Sequence, residues 1–186
     1  MAGSRVSFAG GDVGPWRVLE QRAVRGDPLP AVERVTVATR GDAPPANGRA
    51  PAWSLDGVVS HLRYATRRDV DSLRPTELPL SRPEATRAVL IPIRKSAAWW
   101  ALAQDERDEI FAARSRHSAI GLAYAGEIAR KLYHSRDLGE PFDFLTWFEF
   151  EPSQATRFDE LLAALRCTPE WGYVEREVEI HLLRDD

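Results

Sequence analysis

The chain has 186 residues, 44% hydrophobic and 28% charged, enough to bury one good core with little room for two independent domains. A net charge of −3 with dispersed Lys and Arg argues against a nucleic-acid partner, and the lone cysteine, Cys167, rules out an intramolecular disulfide or a cysteine metal cluster. No apolar run approaches the roughly 20 residues that span a bilayer, and Met1 to Gly11 lacks a signal-peptide core, so a soluble cytoplasmic protein is expected.

The first half reads as short strands. Phe8, Trp16 to Val24, Val35 to Ala38, Val58 to Ala65 and Ala88 to Ile93 carry the strand pattern. Residues 40–52 form a Pro/Gly/Ala surface loop, and Val70 to Leu78 is a poor, proline-bounded helix or turn. Gly10-Gly11-Asp12-Val13-Gly14 has the composition of a phosphate loop, but Pro15 and a strand follow where a helix N-terminus would be needed, so it reads as a turn.

The second half is richer. Asp105 is placed to cap a helix whose first turn is acidic, and Ile110, Ala113, His117, Ile120, Gly121 and Tyr124 recur on one face of it. That spacing points His117 inward, either as a core histidine with a satisfied ring or as a ligand. Ile128 to His134 follows as a strand, with Ile128, Arg130, Leu132 and His134 on one face. A buried Arg130 needs an anion or an acceptor, whether an oxyanion substrate or one of the chain's many acids.

Phe142 to Phe150 alternates as a central strand, with aromatics on one face. Pro152-Ser153 opens a helix with Phe158, Leu161, Leu162 and Leu165 facing in, ended near Thr168-Pro169. Tyr173 to Leu183 is the cleanest strand: Val174, Val178, Ile180 and Leu182 face in, and Glu175, Glu177 and Glu179 read as a solvated outer face. Together with Ala88 to Ile93 this makes a ferredoxin-like α+β unit. His61, His134 and His181 show no paired ligand spacing, and no activated nucleophile is marked.

Several segments resemble the chlorite dismutases, in their short-chain branch. They are Lys95-Ser96-Ala97-Ala98-Trp99-Trp100, His117, the run from Arg130 to Gly139, Phe144 to Glu149, and Glu170-Trp171 with Val174 to Glu177. The likeness covers most of residues 84 to 183 and, more loosely, Gly10-Gly11-Asp12 and Trp16.

The resemblance implies a dimeric ferredoxin-like α+β barrel in one structural domain. It would have two βαββαβ-type halves, residues 1–87 trimmed and residues 88–186 binding haem. It further implies non-covalent haem b with His117 as axial ligand to iron and Arg130 as the charged side chain on the opposite side. Glu170 would accept a hydrogen bond from the other ring nitrogen of His117, with Lys95 beside it. Trp99 and Trp100 would stand at the haem edge, where an indole N–H can meet a propionate, and Thr146 and Phe148 on the distal wall. The implied reaction converts chlorite to chloride and dioxygen through a ferryl haem and a hypochlorite intermediate held by Arg130. Chlorite or other small anions would be the substrates and a second copy the partner.

A coproheme decarboxylase or peroxidase-like enzyme is an alternative, but those decarboxylases look different at the Arg130 position. A haem-binding sensor would keep His117 without the turnover. Apart from the initiator the chain has no Met, and it has one Cys, which suits a maker of hypochlorite or reflects nucleotide bias.

Overall fold

The computed structural model describes residues 5–39, 50–59 and 78–185. Eight strands close into a barrel: β1 (Arg5–Gly11), β2 (Trp16–Arg25), β3 (Arg34–Thr39), β4 (Trp53–Val59), β5 (Arg87–Lys95), β6 (Ala129–His134), β7 (Phe144–Phe150) and β8 (Val174–Arg184). Their order around the barrel is β1-β3-β2-β8-β5-β7-β6-β4, every pairing antiparallel. Read from β4 and from β8, the two runs β4-β1-β3-β2 and β8-β5-β7-β6 repeat one ferredoxin-like strand order. In the first run, residues 12–15 alone join β1 to β2. In the second, helical segments, beginning with α1 (Ala97–Ala101), fill both crossovers, between β5 and β6 and between β7 and β8.

Two hydrophobic clusters share the second-half strands. Phe8, Trp16, Trp53, Leu55, Leu90, Tyr133, Leu145, Trp147, Ile180 and Leu182 fill the barrel. Outside it, α4 (Ala155–Arg166) lays Phe158, Leu161, Leu162 and Leu165 on Val89, Ile91, Ile93, Phe148 and Phe150. Phe158 stacks on Phe150 at 4.7 Å and meets Phe148 edge-on at 5.2 Å. With both faces covered, β5 reads as the unbroken apolar run Ala88 to Ile93 rather than as an alternation.

Most expected strands coincide with observed ones, but β4 does not. It runs Trp53–Val59, overlapping the expected Val58 to Ala65 only at its end, and residues 60–65 lie outside the described residues. Asp56 and Gly57 are weak strand formers, which hid it. Gly57 is there for space: a Cβ would sit 2.6 Å from the Cβ of Tyr133 on the neighbouring strand β6. The expected turn at Val70 to Leu78 and most of the 40–52 loop also lie outside the described residues.

The helix expected through 105–124 is broken into three pieces. The first, α2 (Gln104–Asp108), starts two residues early: Ala103, not Asp105, is the N-cap, and its N–H donates to Glu106 Oε2 at 2.7 Å. A π-helical turn, Glu109–Arg114, follows, then Arg116 in the left-handed region at φ +49°, then α3 (His117–Leu122). The extra residue in the π turn rotates the expected face, so Ala113 is exposed while Ile110, Ser115 and His117 are buried.

The glutamates of β8 form the other correction. Glu177 and Glu179 are buried rather than solvated. α4 lies over them, and Arg166 reaches back to Glu177 Oε1 at 3.0 Å and Glu179 Oε2 at 2.5 Å. Trp171 Nε1 donates to Glu177 at 2.9 Å, and Arg22 and His181 serve the other Glu179 oxygen. Each buried carboxylate is therefore fully hydrogen-bonded, as burial of charge requires.

Candidate functional site

A concave pocket, the kind of site that small molecules and cofactors take, opens beside the barrel. Its wall comes from β5 (Ile91, Ile93, Lys95), β6 (Arg130, Leu132), β7 (Phe144, Thr146, Phe148) and α4 (Leu162, Leu165). Phe111, His117, Trp99 and Glu170 also line it, and the surface is overwhelmingly apolar. The strand register sets this face, because Arg130 pairs with Phe148 and Leu132 with Thr146.

His117 opens α3 immediately after the left-handed Arg116. Its Nδ1 is 2.8 Å from Glu170 Oε2, and Lys95 Nζ donates to Glu170 Oε1 at 2.8 Å. Glu170 stands on the 3-10 turn Pro169–Tyr173, where its N–H donates to Ser115 Oγ at 3.0 Å. Phe111 lies flat against the imidazole, ring centres 4.4 Å apart. Lys95, His117 and Glu170 are all less than a tenth exposed.

The electrostatics fix the proton positions. Burial pushes the Glu170 carboxyl up, but hydrogen bonds and charge from His117 and Lys95 outweigh it and hold the group near a pKa of about 2. Burial drives His117 below its ordinary value against the pull of Glu170, with Arg130 and Lys95 adding to the lowering. Lys95 is also lowered by burial, opposed by Glu170. The ground state is a neutral imidazole whose Nδ1–H donates to an ionised carboxylate. That leaves Nε2 with the lone pair a metal needs.

The expected residues fall into two groups. Lys95, Trp99, His117, Arg130, Thr146, Phe148 and Glu170 meet on the one cavity. Trp100 stands behind the wall: it stacks on Phe144 at 6.2 Å and donates to Asp143 Oδ2 at 3.3 Å, with the Arg136 guanidinium 3.9 Å over its ring. Arg130 lines the cavity but is exposed rather than buried, because the outer face of β6 opens at the cavity mouth. A Cβ on Gly121, one turn past His117 on α3, would lie 4.0 Å from Arg130 Nη1, so the arginine borders the histidine helix.

Sequence reasoning missed Asp143, Phe111 and Ser115. Asp143, 4% exposed, accepts from the Lys95 backbone N–H at 2.7 Å and from Arg136 at 3.2 Å, so it fixes the end of β5 that carries Lys95. An acid inside the aromatic run Phe142-Asp143-Phe144 was the signal that could have found it. Phe111 and Ser115 depend on the π turn and left no pattern.

A family profile described as Chlorite dismutase matches residues 44–184. A chlorite dismutase from Ideonella dechloratans is 35% identical over 122 residues, which is 64% of this chain and 41% of that protein, so the chain aligns with about two fifths of this curated relative. The crystal structure of a dimeric chlorite dismutase from Nitrobacter winogradskyi is 50% identical with a TM-score of 0.88, covering 97% of this chain and 99% of that one. A chlorite dismutase from Candidatus Nitrospira defluvii, in an arginine-to-lysine variant, shares the fold at a TM-score of 0.66 and 20% identity over 99% of this chain and 92% of that one. The profile match takes in every cavity residue named above, and the chain belongs to the chlorite dismutase family.

Proposed function

We propose that this chain is a haem b enzyme that decomposes chlorite to chloride and dioxygen, in which His117 would hold the haem iron and Arg130 would hold the anion. The observation that carries the reading is the buried His117–Glu170–Lys95 relay on the wall of an apolar cavity. The donor set fits haem. Among the described residues no three His, Cys, Asp or Glu side chains gather to hold a bare ion, whereas one neutral imidazole suffices for a metal that brings its own macrocycle. A buried indole N–H on the same wall, Trp99 Nε1, has no acceptor among the described residues, and an acidic edge of the group would supply one.

When bound, haem would supply the oxygen-transfer chemistry. The protein's part is positioning and charge. Glu170 holds the Nδ1 proton and so fixes the tautomer that offers Nε2, while Lys95 keeps Glu170 ionised. Arg130 would present a permanently protonated fork of donors to chlorite and would keep small chlorine-oxide anions within the cavity. Thr146 and Phe148 on the neighbouring strand form the wall beside Arg130 and limit water there. Every one of these residues falls within 88–186, which we assign as the haem-binding half. The dimeric relative at 50% identity supports a homodimer.

The test is oxygen release, by electrode, from haem-reconstituted protein given chlorite, with His117→Ala and Arg130→Ala alongside. Rapid evolution that needs His117, and that ends after fewer turnovers in Arg130→Ala while its haem content holds, is expected. Haem binding without oxygen would instead support a sensor. An unchanged turnover number in Arg130→Ala would remove the anion-holding role.

A further inference from the structure

Glu170 serves the relay from a five-residue turn, Pro169–Tyr173, which has too few internal bonds to set its own place. The backbone of the turn is tied at Glu170 N–H to Ser115 Oγ at 3.0 Å and at Trp171 O to Arg25 of β2 at 3.3 Å. The Trp171 side chain is tied elsewhere. Trp171, 8% exposed, lies beside the relay with Lys95 Nζ 5.6 Å from its ring centre, and its indole Nε1 donates to Glu177 Oε2 at 2.9 Å. Glu170 and Trp171 thus flank one ammonium, and the acceptor of the indole lies outside the relay.

Glu177 is itself firmly held. It is 1% exposed on β8, and its backbone pairs with Ile93 of β5, two residues before Lys95. Its other oxygen, Oε1, takes Arg166 Nε at 3.0 Å from the end of α4. One carboxylate therefore closes a clasp over residues 166–171, the stretch that carries Glu170. The two arms are unequal: Arg166 has a second acceptor in Glu179 Oε2 at 2.5 Å, whereas the single indole N–H is spent on Glu177. A buried ion pair adds little stability over an apolar pair of the same volume, so what the carboxylate supplies here is direction for the indole.

We infer that Glu177 is a positioning residue for the site: through the Trp171 indole it holds the turn on which Glu170 reaches His117 Nδ1 and Lys95 Nζ at once. Freed from Glu177, the indole leaves its place beside Lys95, the turn shifts with it, and the bond from His117 Nδ1–H to the carboxylate opens more often. The consequence for the metal rests on the haem reading above. The geometry of the relay does not, and it is measurable in the haem-free chain.

The test is solvent exchange of the His117 Nδ1 proton, followed by NMR on isotope-labelled haem-free protein, for wild type, Glu177→Leu, Glu177→Gln, Trp171→Phe and, as a control destabilised inside the barrel, Gly57→Ala. In Glu177→Leu and Trp171→Phe the proton should exchange about tenfold faster, the factor of one ordinary hydrogen bond. Glu177→Gln keeps a carbonyl for the indole and should recover most of the protection, and Gly57→Ala should leave the exchange unchanged. In the haem-loaded protein the reduction potential should rise in the same two variants, because a weaker Nδ1–H bond makes the imidazole a poorer donor to iron. Unchanged exchange in both variants, exchange that speeds up equally in Gly57→Ala, or a potential that moves in neither would overturn the positioning role. A wild type that binds no haem yet shows the expected exchange pattern would overturn the haem reading and leave the positioning role in place. If Glu177→Leu does not fold, Trp171→Phe set against Glu177→Gln decides.

Discussion

Replacing Glu170 with Gln removes one charge and one acceptor from the centre of the relay. In the native protein each carboxylate oxygen sits 2.8 Å from its partner, Lys95 Nζ on one side and His117 Nδ1 on the other, and the Lys95 and Glu170 side chains are 4% and 6% exposed. A glutamine has one carbonyl for two donors, so it loses one of the two bonds and sets its own N–H₂ against another donor. The buried Lys95 ammonium is then without its counter-charge. Breaking a buried pair by removing one partner costs about 3–5 kcal/mol. With a urea m-value of about 2 kcal/mol/M, the midpoint of the haem-free protein at pH 7 should fall by about 1.5–2.5 M. Adding Lys95→Met removes the stranded charge, so the double variant should be more stable than Glu170→Gln alone. Lys95 already lies below its ordinary value through burial, so in Glu170→Gln raising the pH toward that value should restore stability as the ammonium sheds its proton. A loss under about 1 kcal/mol in the single variant, or strict additivity in the double, would refute the coupling.

The relay also sets the acid side of the stability curve. The folded pKa values of His117 and Glu170 both lie below their unfolded ones, so their contributions are present at neutral pH and are lost on acidification. His117 contributes to the fall from about pH 6.5 downward and Glu170 between about pH 4.5 and 2. Urea midpoints measured from pH 8 to 4 should decline, and His117→Ala should flatten the upper part; a flat wild-type profile would contradict the assignment. Gly57→Ala should destabilise by about 1–3 kcal/mol, because its Cβ meets the Tyr133 Cβ at 2.6 Å, while Gly126→Ala, with nothing within 4 Å, should be near neutral by the same melts. Arg116→Val should cost about 1–3 kcal/mol at φ +49° while Arg116→Gly is close to neutral, and equal effects would show that the left-handed residue carries no strain. Phe158→Ala, removing the ring that packs on both Phe148 and Phe150, should cost about 3–5 kcal/mol in denaturant melts.

The second half of the fold was largely legible because its signals are periodic. The apolar run of β5, the alternation of β7 and the inward face of α4 all follow from burial on one or both sides. What stayed hidden depends on long-range partners. Glu177 and Glu179 alternate like solvated residues, and only the arrival of Arg166, Arg22, His181 and Trp171 from elsewhere makes them interior ones. The N-terminal β4 was displaced because Gly57 answers to Tyr133, far off in sequence. At the site, His117 was found as an inward residue although the helix drawn through it is broken, since Ile110 and His117 keep their burial while Ala113 does not.

The π turn from Glu109 to Arg114 acts as a counting device. Its closing bond, Ser115 N–H to Ile110 O at 2.9 Å, spans five residues where an α-helix spans four. Were the same residues to wind as a regular α-helix instead, no side chain of the cavity would be exchanged. Everything after it would then turn by about 100° relative to what precedes it. Phe111 and Ser115 could no longer both meet their partners, one on the imidazole face and one on the Glu170 backbone. In a lineage that drifts by insertion and deletion as well as by substitution, this short stretch is therefore a place where chain length and helical winding must change together.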